Sequence, residues 1–92
     1  MREVARGQSS VPASIPLAAS SADTCVRAVF GAQSPVVAAL LTDTGVVLAI
    51  TRAGSRATLD AHGPVCFHKG QSAHIEVQGH APLVSYVVWM TP

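Results

Sequence analysis

Residues 36–52, VVAALLTDTGVVLAITR, constrain the fold of this chain more than any other stretch, because two apolar runs flank the turn signal Thr42-Asp43-Thr44-Gly45. Gly45 can take the positive φ that closes a short turn followed by a bulge, so the stretch reads as a β-hairpin. Both runs are apolar at odd and even positions alike. Each is therefore expected to be covered on both faces, by a second sheet on one side and by something else on the other.

The neighbouring segments carry the same two-residue period. In residues 24–32, TCVRAVFGA, an outward Arg27 puts Val26, Ala28 and Phe30 inward. Gln33-Ser34-Pro35 then leads into the hairpin. Beyond it, Ala53-Gly54-Ser55 reads as a loop, and residues 56–61 as a short strand with Ala57 and Leu59 on one face, ended by His62-Gly63-Pro64. Residues 65–69 and 73–78 read as a second hairpin around Gly70-Gln71-Ser72, with Ala73, Ile75 and Val77 inward and His74, Glu76 and Gln78 outward. Residues 79–82 turn the chain again. The last strand, LVSYVVWM, carries Tyr86 and Trp89 on opposite parities, so one ring belongs to the core and the other to a surface or interface.

At the N-terminus, residues 1–10 form a polar lead without periodicity, expected to be mobile unless something holds it. Val11, Ala13, Ile15 and Leu17 then alternate with Pro12, Ser14, Pro16 and Ala18. Both prolines lie on one parity and lack the N–H of a central strand, which confines this segment to an edge. Two readings follow: an edge strand of the domain's own sheet, or an arm that docks on a neighbour through Val11, Ile15 and Leu17. A turn at Ser20-Ser21-Ala22-Asp23 divides the chain into an extended N-terminal arm or edge strand, residues 1–22, and a β-sandwich domain, residues 23–92.

About seven short strands, and no sustained 3.6-residue period, make this an all-β chain: a single small antiparallel β-sandwich or jelly roll with an extended N-terminal arm. At the level of architecture the alternation resembles the small jelly-roll modules appended to secreted bacterial enzymes and the β-sandwich decoration proteins of virus capsids. A virion or another extracellular assembly is the expected setting, while fold alone does not give function.

Composition narrows the function classes. Of the 92 residues, 49% are hydrophobic and 12% charged, which fits one packed domain with a weakly charged surface. The net charge is +1, and Arg2, Arg6, Arg27, Arg52, Arg56 and Lys69 form no basic block, so nucleic acid is not an expected partner. No apolar run approaches the roughly 20 residues of a membrane-spanning helix. The segment GQSSVPASIPLAASSA, which follows Arg6, is interrupted by Ser and Pro where a Sec signal peptide has a continuous apolar centre, so no such signal is expected.

Chemistry-bearing residues are few. Cys25 shares the parity of Arg27 and Cys66 that of His68, so both leave the core face of their strands and could meet on neighbouring strands. A disulfide between them closes a loop of about 40 residues and stabilises by roughly 4 kcal/mol on the chain-entropy estimate. The other reading is two buried free thiols acting as small hydrophobes. His62, His68, His74 and His80 fall six residues apart. A three-residue turn at 70–72 would set His68 opposite His74, a weak candidate zinc pair with Glu76 or Cys66 as further ligands. No recognised zinc spacing, Gly-x-Ser-x-Gly elbow or phosphate-binding glycine loop is present, so neither an enzyme nor a cofactor is expected.

The sequence therefore points to a non-enzymatic structural or interaction protein, docking on a larger protein assembly or on copies of itself. The alternative is a secreted accessory module that binds carbohydrate or protein. Aromatic content separates the two, because sugar platforms need exposed flat rings, and the chain has only Phe30, Phe67, Tyr86 and Trp89.

Overall fold

The computed structural model of the chain describes residues 1–18, 22–59, 63 and 65–91. Among them lie eight antiparallel strands: β1 (Arg2–Ser10), β2 (Ala13–Leu17), β3 (Thr24–Thr42), β4 (Val47–Ile50), β5 (Gly54–Thr58), β6 (Val65–Phe67), β7 (Ala73–Gly79) and β8 (Leu83–Met90). They form one hydrogen-bonded sheet, nearly closed on itself, which gives the expected small all-β, sandwich-like or barrel-like architecture. No helix occurs among the described residues, so none is long and apolar enough to cross a membrane.

The long strand β3 folds the sheet into two layers. Its even residues are buried from Thr24 to Phe30 and again from Val36 to Thr42, so the same side faces the core along both halves. Residues 31–35 are less buried and form the bend between the halves. The first half pairs with β8 on one side and with β5 and β6 on the other. The second half pairs with β7 and β4. β1 extends the first layer beyond β8, and β2 extends the second beyond β7. Gly79 locks the bend: at its φ of 152°, an added Cβ would lie 2.5 Å from the Pro35 carbonyl oxygen, a separation no side chain tolerates.

Val26, Ala28, Phe30, Leu40, Ile75, Val77, Val84 and Val88 have no exposed surface and fill the space between the layers. Each fully buried side chain of the Val, Leu, Ile or Phe type contributes about 1.5–3 kcal/mol relative to exposure. The inward sets expected for residues 24–32, 56–61 and 73–78 are the ones observed, with Ala57 and Leu59 buried as well. Gly45 takes a φ of 93°, and its N–H donates to the Thr42 carbonyl at 2.9 Å, which closes the expected turn between β3 and β4.

Three expectations are corrected, and one alternative is decided. The polar lead is strand β1, because its backbone completes the ladder of β8 even though its side chains bring little to the core. Of the two readings of the proline-marked segment, the structure has the edge strand and not the docking arm: residues 13–17 are β2, and Ala13, Ile15 and Leu17 are buried against β7, with Val11 packed at the rim of the same core. Residues 33–35 do not interrupt the sheet but lie within β3. The stretches 65–69 and 73–78 do not form a hairpin. β6 pairs with the first half of β3 and β7 with the second, so the chain crosses between layers after Lys69. Ser20 and Ser21 of the expected turn, and Asp60, Ala61, His62 and Pro64, lie outside the described residues.

Candidate functional site

The outer face of the second layer follows from the register. Residues paired directly across strands share a face, so Pro16, His74, Leu41 and Val47 form one row and Ser14, Glu76, Ala39 and Ile50 the next. The β2–β7 half of this face is polar apart from Pro16, and the β3–β4 half is apolar. Val47 and Ile50 are 55% and 67% exposed, and Val46 at the turn is 57% exposed, while Val37, Ala39 and Leu41 are half-buried. The hairpin is thus covered on one face only, and among the described residues no element of the chain packs over the other. The expectation of cover on both faces is corrected for this chain on its own.

His74 marks the border between the two halves. Its Nδ1 lies 3.1 Å from Asp43 Oδ1 in the β3–β4 turn, and its Nε2 lies 3.1 Å from Glu76 Oε1 on β7. The hydrogen bond to Asp43, then that to Glu76, raises the imidazole pKa above its usual 6.5. Both ring nitrogens can donate only as imidazolium. A pKa raised by folding gives a stabilisation that is complete below the unfolded value and is lost as pH rises through the folded one. Resistance to urea is therefore expected to fall from about pH 6.5 upward. His74→Gln should flatten that fall, and an unchanged profile in the variant would assign the pH dependence to other groups.

The candidate zinc pair does not assemble. His68 follows β6 in the first layer's ladder, and its N–H donates to Gln71 Oε1 at 2.9 Å, whereas His74 stands on β7 between two carboxylates. The expected pairing required β6 and β7 to be neighbours, and they are not. No group of three or more His, Cys, Asp or Glu side chains suited to a metal ion occurs among the described residues. Cys66 is also unavailable as a ligand, because Cys25 and Cys66 face each other across β3 and β6 and are joined by a disulfide.

The outer face of the first layer is the second open surface. Trp89, on the odd parity of β8, points out of the core beside Glu3 of β1 and Arg27 of β3, while Tyr86, on the even parity, packs against the core. Trp89 is thus the ring the core does not claim. Sequence reasoning placed the two rings on opposite parities, but the parity belonging to the core required knowing which strands flank β8. The Arg6 guanidinium pairs with Glu3 at 2.8 Å along the rim of this face.

No family model matches the chain, and no curated protein matches it either.

Proposed function

We propose that this protein is a non-enzymatic interaction module that docks on a larger protein assembly through the outer face of its β3–β4 ribbon. The supporting observation is the open apolar surface of Leu41, Ala39, Val47 and Ile50, bordered on one side by the polar row of β7. These side chains stand on a rigid sheet whose other face is the domain core, so docking requires no rearrangement of the backbone. Burying Val47 and Ile50 against a partner would contribute about 1.5–3 kcal/mol each. The residues first expected to dock, Val11, Ile15 and Leu17, are taken up by the domain itself, and the docking role passes to the ribbon.

Ile50→Asp is the direct test, because Ile50 is exposed and its replacement leaves the core intact. The variant is expected to keep the β-dominated circular dichroism spectrum and the melting temperature of the parent chain. A photo-crosslinking residue at position 47 should capture a protein partner or a second copy in the native host, and Ile50→Asp should abolish that capture. Capture that survives Ile50→Asp undiminished would rule this face out as the docking surface.

A further inference from the structure

We infer that the open edge of β5 takes up an extended acidic segment of the docking partner, which adds to it as a strand. The inference rests on the docking role proposed for the β3–β4 ribbon and names the chemistry of what docks there. β4, β5 and β6 follow one another along a single edge of β3, opposite β7 and β8. Among the described residues no strand pairs with their other side. A depression of about 450 Å³ lies there, lined by the end of β4, by β5 and by Val65 of β6. Ile50 lines it too, which makes it continuous with the docking face.

Register identifies the backbone groups that this edge offers. In an antiparallel ladder, residues directly opposite each other alternate between pairs that exchange hydrogen bonds and pairs that do not. The Leu59 N–H donates to the Ala28 carbonyl at 3.0 Å, so Leu59 and Ala57 direct their backbone groups to β3. Arg56 and Thr58, opposite Gly31 and Val29, direct theirs away from it. The Thr51 N–H donates to the Ala38 carbonyl at 2.9 Å, and the same alternation turns the backbone groups of Ile50 outward. An extended peptide meets here the donors and acceptors that strand addition uses.

Side chains choose the peptide. Arg52 and Arg56 line the depression, are exposed, and have no ion pair or side-chain hydrogen bond among the described residues. No carboxylate lines it among those residues, so the complementary segment is negative. A strand added antiparallel to β5, as every pairing in this sheet is, sets alternate residues opposite Arg56 and Thr58 on the outer face. The residues between them face inward with Ala57, which is 3% exposed. The fitting sequence therefore alternates acidic and small apolar residues. A second copy centred on the same edge would set Arg56 against Arg56, and like charges directly opposite are destabilising, so the edge selects a partner of opposite charge over another β5. No aromatic side chain lines the depression among the described residues, so it lacks the stacking platform of a nucleic-acid site.

Fluorescence polarisation of a short labelled peptide alternating glutamate and valine, titrated with the full chain, tests the inference. Saturable binding is expected, stronger than that of a lysine–valine peptide or of oligothymidylate. Arg56→Glu alters an exposed side chain, so it should keep the parent melting temperature, weaken the acidic peptide roughly tenfold and strengthen the lysine peptide. N-methylation of the glutamate amides, which face β5 in the antiparallel addition, should abolish binding, whereas N-methylation of the valine amides, which face away, should leave it. Absence of binding, equal or tighter binding of either comparison, undiminished binding by Arg56→Glu, or equal effects of the two methylations would each overturn the inference. Crosslinking at position 47 separates it from the docking face. Capture that depends on Ile50, with no binding of the acidic peptide, overturns the acidic segment and leaves the face standing. Peptide binding as expected, with capture that survives Ile50→Asp, leaves the peptide site standing and removes the face.

Discussion

Ile15→Asp is expected to unfold the domain or leave it marginal, and deletion of residues 1–18 is expected to leave no cooperative unfolding transition. Ile15 is 6% exposed and sits opposite Ile75, which is fully buried, in the ladder between β2 and β7. An unpaired carboxylate at that depth costs about 3–5 kcal/mol, against a total stability of roughly 5–15 kcal/mol for a domain of this kind. The deletion removes more. It takes away Ala13, Ile15 and Leu17, strips β8 of its partner along Arg2–Ser10, and uncovers one edge of each layer. Circular dichroism and urea titration of the two variants read the outcome. A truncated chain that melts like the parent would show that residues 1–18 lie outside the cooperative unit and would reinstate the docking arm.

The same segment shows how far the sequence reaches. Alternation tells which side chains face inward, and it located Ala13, Ile15, Leu17, Val26, Ala28, Phe30, Ala73, Ile75 and Val77 on the core side, where the structure has them. It does not tell which strand lies next to which. A strand at the end of a chain pairs through backbone groups that every residue carries, so β1, with Gly7 and Ser9 on its inward parity, left no apolar trace. The error over residues 65–78 has the same origin. A Gly-Gln-Ser turn between two alternating runs fits a hairpin, yet Phe67 pairs with Thr24 and Ala73 with Thr42, at opposite ends of β3. The zinc pair rested on that hairpin and fails with it. The apolar outer face of the β3–β4 ribbon was half legible: the continuous apolar character of 36–52 demanded cover on both sides, and only packing could show that the chain covers one.

Reduction of the Cys25–Cys66 disulfide is expected to produce a loss of stability as large as that of the core variant by a different route. The two cysteines are 41 positions apart and occupy the centre of the three-residue pairing between β3 and β6. On the chain-entropy estimate, opening a loop of this size releases roughly 4 kcal/mol of restraint on the unfolded chain. With about 4–8 °C per kcal/mol for a domain of this size, the melting temperature should fall by on the order of 20 °C. The native contacts at risk are local. β6 is held by three register pairs, of which Cys25–Cys66 is the middle one, and Phe67 beside it is 2% exposed. Loss of the bond should therefore first loosen β6 and free Phe67, while β1, β8 and β7 keep their ladders until global unfolding. Hydrogen exchange on a Cys25→Ser, Cys66→Ser double variant distinguishes these steps: early exchange confined to residues 65–69 and their β3 partners is the expected pattern. A melting temperature within a few degrees of the parent would mean that the ladder, and not the bond, holds β6 in place.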